Sequence, residues 1–340
     1  MAHRWGIIGC GAFVERGMGI ALNAAADTKL VSVHSRSPDK AQAYAAMYKT
    51  EGAHHDLDAM LADPELESVY IATPNSMHAA QAIRAAQAGK NVLCEKPMAL
   101  SLADCDRMIE AAAKNNVKLG VVFQNRYHPA HVEARSHVAS GRLGAIDLVT
   151  AQLFRGGARG RGYRGWRGDP EIAGSGAIVA QQVHPLDLMR FILDSEIEEV
   201  HAMSDAAPPE RPLEEMVYSL VKFRNGARGT CLSGSLVPRF DNDFLLYGSA
   251  SKLTCKGTIG EPTPRRDQYL AIESDTSENH TSFLSGASVP EKLARLVEDF
   301  NASVRENTAL GISGENGMQM VRIALAMAES ASKGKAVQIE

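Results

Sequence analysis

The first 122 residues alternate between short apolar runs and helix-like segments, and this alternation constrains the fold more than any other feature. The helix-like segments carry residues typical of helix ends, such as Ser37-Pro38 at a start and Gly89 at a stop. Strands separated by helices form βαβ units, which build a parallel sheet. The sequence therefore predicts a doubly wound parallel sheet of the Rossmann type. Its predicted strands are Arg4–Ile8, Leu30–His34, Val69–Ala72, Asn91–Cys94 and Lys118–Val122.

The pattern changes after residue 122. Several β-like runs, such as Met216–Phe223 and Ala227–Ser233, follow one another without helices between them, which is typical of an open antiparallel sheet. At 340 residues the chain is also too long for one typical core. We predict two domains, residues 1–122 for nucleotide binding and residues 123–340 for an α+β domain with an open, mainly antiparallel sheet that binds substrate and forms oligomers.

The charge and cysteine content exclude some classes of partner. The net charge of −4 provides no general attraction to nucleic acid or to an anionic membrane. Five cysteines without CxxC pairing argue against a zinc site and favour a reducing compartment. The chain shows neither a basic-then-apolar leader nor an apolar run of about 20 residues. We expect a cytoplasmic protein without a bound metal.

Gly9-Cys10-Gly11 lies between the first strand and the first helix, which is where a dinucleotide fingerprint needs its glycines. The glycines let the backbone turn tightly and approach a pyrophosphate at the helix N-terminus. Val14 occupies the third small position, so the motif is incomplete. The same residues would also suit a turn that merely requires glycine. Together with the βαβ pattern, they favour a bound dinucleotide.

The second strand ends in His34-Ser35-Arg36, and these residues predict which dinucleotide is preferred. A site for NAD places Asp or Glu here to bind the adenosine ribose hydroxyls. Ser35 carries no charge, and Arg36 can pair with a 2′-phosphate. We expect a preference for NADP(H) over NAD(H); the alternative is a surface arginine beside a helix cap.

A set of motifs in fixed order makes the whole chain similar to one family. The chain resembles the glucose–fructose oxidoreductase/inositol dehydrogenase/MocA family, and its opening Arg4–Gly9 and long first helix are most similar to the 1,5-anhydro-D-fructose reductase group. The resemblance rests on Gly9-Cys10-Gly11, Thr73-Pro74-Asn75-x-x-His78, Glu95-Lys96-Pro97, Trp166-Arg167, Ala173-Gly174-Ser175-Gly176 and His184-Pro185-Leu186-Asp187.

The resemblance implies a function and a set of cofactor residues. It implies hydride transfer between nicotinamide and a hydroxyl or carbonyl carbon of a sugar, anhydrosugar or polyol, in an enzyme of the EC 1.1.1 type. Glu95 would bind the nicotinamide ribose, and a peptide bond before Pro97 that is often cis in the family would aim Lys96 at the substrate. The implied cofactor residues are Gly9, Gly11, Ala12, Phe13, Ser35, Arg36, Thr73, Pro74, Asn75, His78, Glu95, Lys96 and Pro97.

Hydride transfer on a hydroxyl or carbonyl group requires a proton to move as well. The resemblance implies that Lys96 and His184 are catalytic and face each other across a cleft. Histidine titrates near neutral pH, and an ammonium group near a cationic ring loses its proton more readily. Taken alone, His184 would suit a core histidine that caps its helix. The predicted substrate residues are Lys96, Tyr127, Arg167, Gln181 and His184.

One position departs from the family pattern. The family usually carries Asp four residues before the histidine, where this chain has Ala180, followed by Gln181-Gln182. Either Lys96 and His184 suffice, or one of the glutamines binds substrate hydroxyls, or activity is lost. Asp187 lies on the same helix face as His184. It would either orient the imidazole or serve the structure.

Two further sequence motifs allow more than one interpretation. The Arg/Gly-rich stretch 155–167 superficially resembles an RNA-binding segment. We interpret it as a loop over the substrate pocket or as an arm that contacts a partner subunit, and Arg159, Arg161 or Arg164 would suit an acidic substrate. His54-His55-Asp56-x-Asp58 contains metal-ligand residue types, but Asp is a normal helix cap there.

Rival functions are dihydrodiol oxidation and a catalytically silent NADP-binding regulator. A homodimer or homotetramer through the second sheet is expected.

Overall fold

The computed structural model describes residues 2–155, 163–206, 212–238, 241–260, 268–274, 279–284 and 287–340, with backbone only at 280 and 282–284. These residues form two compact units. The first unit contains residues 1–124 and 289–321, and the second contains residues 125–288 and 322–340. The C-terminal segment is therefore divided between the units, which the sequence patterns did not indicate. The functional division at residue 122 remains a prediction.

The first unit is built on a six-stranded parallel sheet. Its strand order is β3-β2-β1-β4-β5-β6, so the order reverses between β1 and β4. Ligands of such sheets bind outside the carboxyl ends of the strands at this reversal. The strands are β1 (His3–Ile8), β2 (Thr28–His34), β3 (Gly52–His54), β4 (Ser68–Ile71), β5 (Asn91–Cys94) and β6 (Leu119–Val121).

The helices of this unit begin where the sequence supplies caps. Ser37 accepts a hydrogen bond from the Lys40 backbone N–H, and Ser101 accepts one from that of Asp104. Asp56 caps its short helix in the same way. After a π-helical turn at Val14–Met18, the helices are α1 (Gly19–Ala24), α2 (Pro38–Tyr48), α3 (Leu57–Leu61), α4 (His78–Gln87), α5 (Leu102–Lys114) and α9 (Val289–Glu306).

The second unit contains a nine-stranded, mainly antiparallel sheet. Its order is β14-β13-β12-β11-β7-β10-β9-β8-β15, and the β7–β10 pair is parallel. The strands are β7 (Ile146–Phe154), β8 (Ile197–Ser204), β9 (Met216–Phe223), β10 (Arg228–Gly234), β11 (Phe244–Gly248), β12 (Lys252–Lys256), β13 (Gln268–Glu273), β14 (His280–Leu284) and β15 (Val337–Gln338).

Side chains alternate between the two faces of this sheet. Residues such as Val217, Cys231 and Val149 face the core and are fully buried. Helices α6 (Pro129–Ala139), α7 (Pro170–Ala173) and α8 (Val183–Leu193) belong to this unit, and α10 (Gly314–Lys333) extends from the first unit into it. No helix in the described ranges is long and apolar enough to cross a membrane.

The predicted fold class is confirmed by both sheets. Strand β5 has the predicted bounds, and the other predicted strands of the first sheet differ by one or two residues. The principal difference concerns His184, which was considered from the sequence as a residue that caps its helix. A π-helical turn at Ile178–Gln182 precedes α8, so His184 lies about one turn inside the helical segment rather than at its start.

Candidate cofactor and catalytic site

The turn after β1 has the geometry that a dinucleotide requires. Gly9 has a φ of +107°, and a Cβ there would lie 2.9 Å from the backbone of Ala72. A Cβ on Gly11, in contrast, would meet no protein atom within 4 Å. Gly9 is therefore required by the protein itself, whereas Gly11 leaves open space beside the helix N-terminus. The open space beside Gly11 and the helix N-terminus fit a bound pyrophosphate.

The end of β2 lies beside the same turn. Ser35 is buried, Arg36 is exposed, and the Cys10 thiol donates a weak hydrogen bond to the His34 carbonyl at 3.7 Å. Burial raises the pKa of Cys10 to about 11, while Lys40 and a bond to Ser35 act in the opposite direction. The ammonium group of Lys40 is therefore close enough to affect this turn, although sequence analysis did not single it out.

His78 joins the two loops that follow β4 and β5. Its ring is fully buried, with Nδ1 2.8 Å from the Pro97 carbonyl oxygen and Nε2 2.9 Å from that of Thr73. Burial lowers the pKa of His78, and the two carbonyls and Lys96 add smaller effects. The imidazole thus lies between the Thr73 and Pro97 carbonyls, and in its neutral form it donates a hydrogen bond to one of them. The predicted contact of His78 with the cofactor remains a prediction.

The residues around Lys96 are held by side chains from neighbouring strands. The Tyr70 hydroxyl donates to Glu95 Oε1 at 2.7 Å, and the Glu95 N–H donates to the Ile71 carbonyl. Lys96 is half-buried, and the Lys96–Pro97 bond is cis, as the resemblance implied. Thr73 donates to Gln81, while Pro74 is half-buried and Asn75 is buried. The carboxyl ends of β1, β2, β4 and β5 therefore bring the predicted cofactor residues to one edge of the sheet.

The two glutamines that follow Ala180 lie in the π-helical turn before α8, and their side chains make different contacts. Gln182 is fully buried and donates through Nε2 to Ser219 Oγ and to the Cys231 carbonyl. Gln181 instead accepts a bond of 3.4 Å from the Tyr163 hydroxyl. Ala180 is half-buried and His184 is 6% exposed. The Gln182 amide is therefore hydrogen-bonded to the sheet, whereas the Gln181 amide is bonded to Tyr163.

Asp187 belongs to a buried ion pair. Arg126 donates to its carboxylate through Nε at 2.8 Å and Nη2 at 2.5 Å, and Arg190 lies 3.8 Å away. Burial acts to lower the pKa of Arg126, but the Asp187 carboxylate outweighs it and the pKa is raised. A carboxylate held so firmly favours the structural reading of Asp187 over the orientation of the imidazole.

Two residues of the second unit were not singled out from the sequence. Glu214 is 5% exposed and accepts bonds from Ser175 Oγ and from the Ile178 N–H. Tyr163 is half-buried, and burial together with Glu214 and Glu215 raises its pKa. Neither residue was recognised because a lone Tyr and a lone Glu carry no sequence signal.

The remaining predicted substrate residues are Tyr127 and the arginines in and beside the stretch 155–167. Tyr127 is half-buried in a 3₁₀ turn, and the exposed Arg167 places its guanidinium 4.3 Å from the Trp166 ring centroid. Arg164 is exposed, whereas Arg159 and Arg161 lie outside the described residues. Within the described ranges, no group of three or more His, Cys, Asp or Glu side chains is arranged to hold a metal ion.

The fold and this sheet edge define a nucleotide-binding oxidoreductase, and comparison with known families gives the same class. Residues 3–123 match the model described as "Oxidoreductase family, NAD-binding Rossmann fold". Residues 131–254 match the GFO/IDH/MocA C-terminal domain. The chain belongs to the GFO/IDH/MocA oxidoreductase family. The prediction of an NAD(P)-dependent oxidoreductase is thereby confirmed.

Individual relatives are distant but mostly full-length. The chain is 28% identical to 1,5-anhydro-D-fructose reductase of Ensifer adhaerens, over 99% of each protein. It is also 28% identical to 1-carboxy-3-chloro-3,4-dihydroxycyclohexa-1,5-diene dehydrogenase of Comamonas testosteroni, over 70% of this chain and 57% of the relative. The solved structure of levoglucosan dehydrogenase in complex with NADH superimposes with a TM-score of 0.90 at 25% identity, covering 100% of each chain.

Proposed function

We propose that this protein is an NADP(H)-preferring oxidoreductase that acts on a hydroxyl or carbonyl carbon of a sugar, anhydrosugar or polyol. The observation that carries the proposal is the loop pair after β4 and β5, where the His78 ring lies between the Thr73 and Pro97 carbonyls and Tyr70 holds the side chain of Glu95, next to Lys96. The names of the anhydrosugar-acting relatives support the substrate class. The similarity of the chain to the family supports hydride transfer with a nicotinamide cofactor.

The cofactor would be held by the residues at the carboxyl ends of β1, β2, β4 and β5. Gly9 and Gly11 would admit the pyrophosphate, with Ala12 and Phe13 in the first helical turn beside it. Ser35 and Arg36 would hold a 2′-phosphate, and the charge of Lys40 supports this preference. Thr73, Pro74, Asn75, His78, Glu95 and Pro97 would line the nicotinamide ribose. Because the neighbouring structure contains NADH, the preference rests on this chain's own residues.

The proton is handled by Lys96 and His184. A bound nicotinamide supplies or accepts a hydride at C4. Lys96 would donate a hydrogen bond to the reacting substrate oxygen, and His184 would give or take the proton at that oxygen. Tyr127, Arg167 and Gln181 would bind the other substrate oxygens. The reductive direction is favoured because cells keep NADP mostly reduced.

The test is a substrate screen with matched variants. Sugars, anhydrosugars, inositols and dihydrodiols are incubated with NADP(H), and turnover is compared for wild type, Lys96→Met and His184→Asn. We expect sugar-type turnover in the wild type and a loss of about 10² to 10⁴-fold in kcat in each variant, with NADPH affinity changed little in His184→Asn. Equal turnover in all three proteins contradicts the catalytic assignment.

Two rival functions are decided by the same screen. Ala180 in place of the family's usual Asp favours a catalytically silent NADP-binding regulator, which would bind NADPH without turnover. The Comamonas testosteroni relative, whose name describes a dihydroxycyclohexadiene dehydrogenase, favours a dihydrodiol substrate. Turnover of dihydrodiols alone would replace the sugar reading.

The assembly is proposed to be a homodimer or homotetramer formed through the second sheet. Four large apolar residues on one face of β8, β9 and β11 are exposed: Met203 at 68%, Leu220 at 57%, Tyr218 at 44% and Tyr247 at 37%. Met203, Tyr218 and Leu220 lie on the neighbouring strands β8 and β9, and exposed apolar surface of this kind commonly marks an interface. A cytoplasmic location remains part of the proposal.

A further inference from the structure

The buried carboxylate of Glu214 is attached to the beginning of the helical segment that carries Gln181 and His184. Its Oε1 accepts a bond of 2.7 Å from Ser175 Oγ and one of 2.8 Å from the Ile178 N–H. The Glu214 carbonyl oxygen also accepts a bond of 2.8 Å from the Ala177 N–H. Three hydrogen bonds therefore connect one residue to the segment 175–178.

These bonds are of the kind that hold a helix end firmly. The first N–H groups of a helix lack partners within the helix, and a carboxylate there interacts favourably with the helix dipole. Hydrogen bonds to an ionised group are also stronger than those between neutral groups. Because Glu214 is only 5% exposed, a change in the helix start would leave its charge poorly compensated.

The packing around this contact leaves little freedom. A Cβ on Gly176 would lie 2.1 Å from the Glu214 carbonyl oxygen and 2.8 Å from Tyr163 Cε2. The missing side chain at this position allows Tyr163 and Glu214 to approach the same turn. The Tyr163 hydroxyl then reaches Gln181 Oε1, three residues before His184. Burial, with smaller contributions from Glu214 and Glu215, raises the pKa of Tyr163, so its hydroxyl remains a donor.

We propose that Glu214 is a positioning residue for proton transfer: its carboxylate fixes the start of the helical segment, and thereby the orientation of Gln181 and His184. The inference rests on the proposed function, which assigns proton transfer to His184. Proton transfer depends steeply on geometry, since a misplacement of about 1 Å can cost on the order of 100-fold in rate.

The experiment compares Glu214→Ala with Glu214→Gln and with Glu171→Gln, a change at an exposed carboxylate of the same unit. We expect Glu214→Ala to lower kcat about tenfold or more, to shift the pH profile of kcat, and to raise amide hydrogen exchange in peptides covering 176–184. Glu214→Gln retains an acceptor oxygen and should recover most of the rate. Glu171→Gln should match the wild type.

The outcomes separate this inference from the proposed function. If His184→Asn loses turnover while Glu214→Ala keeps the wild-type kcat and pH profile, the positioning role is wrong and the proposed function stands. If the wild type turns over no substrate, the proposed function fails and the proton-transfer role fails with it; exchange in 176–184 then tests only whether Glu214 holds the start of the helical segment, which raised exchange in Glu214→Ala supports and unchanged exchange overturns. Should Glu214→Ala not fold, Ser175→Ala, which removes one of the bonds, must show the same changes at smaller size.

Discussion

Single residues at the end of β2 carry the proposed preference for NADP(H). Ser35 is buried and uncharged, Arg36 is exposed, and Lys40 lies close enough to the Cys10 thiol to affect its pKa. Two positive charges and no carboxylate at these three positions favour a phosphate over two ribose hydroxyls. The sequence alone showed Ser35 and Arg36. Lys40 was recognised only from its position in the structure, because the first turn of α2 brings it back toward the turn after β1.

At this scale we predict that Arg36→Ala raises the KM for NADP about tenfold or more and leaves the KM for NAD nearly unchanged. Loss of a bond between charged groups costs about 1.5–3 kcal/mol, which corresponds to that range. Steady-state kinetics with both cofactors measure the effect. Lys114→Ala, at an exposed site in the last turn of α5, is the control and should change neither value. Equal changes in both KM values would contradict a role for Arg36 in reading the phosphate.

Among elements, the turn between β1 and the first helix contains two glycines whose surroundings differ. Gly9 has a positive φ and lies against the Ala72 backbone, so its need is structural. Gly11 has free space around the position of a Cβ. Both appeared in the sequence as one motif. Only the tertiary structure shows that a side chain is excluded at Gly9 and has room at Gly11.

We therefore predict opposite results for two alanine substitutions in this turn. Gly9→Ala should lower the free energy of unfolding by about 1–3 kcal/mol, because both the backbone conformation and the contact with Ala72 disfavour a side chain. Gly11→Ala should leave stability within about 0.5 kcal/mol of the wild type but weaken NADPH binding, since its methyl group would occupy the space proposed for the pyrophosphate. Urea unfolding and cofactor fluorescence measure the two effects. Normal NADPH affinity in Gly11→Ala would contradict that placement.

At the scale of the whole molecule, the second sheet supplies the surface that is proposed for assembly. Its strands alternate cleanly, with fully buried residues such as Val217 and Cys231 on one face and exposed residues such as Tyr218 and Leu220 on the other. The sequence predicted the open sheet from consecutive β-like runs without helices between them. Which face lies against the helices, and which remains available for another copy, depends on contacts between distant segments.

If that face is an interface, Leu220→Asp should convert the assembly to a smaller species. Burial of a leucine stabilises an interface by about 1.5–3 kcal/mol, and a buried unpaired carboxylate opposes it. Sedimentation velocity measures the change. Val132→Asp replaces an equally exposed apolar residue on α6 and should leave the oligomer intact. A wild-type protein that is already monomeric would contradict the proposed assembly.

The sequence by itself determined the parallel sheet, the order of its motifs and the family. Such features depend on local periodicity and on short segments, since apolar runs, caps and glycine turns are read within about ten residues. Tertiary structure decided the rest. The return of residues 289–321 to the first unit, the burial of Gln182 against β9 and β10, and the contact of Glu214 with Ser175 and Ile178 all join residues far apart in sequence. Such contacts are selected by the packing of the whole core, and no local pattern encodes them.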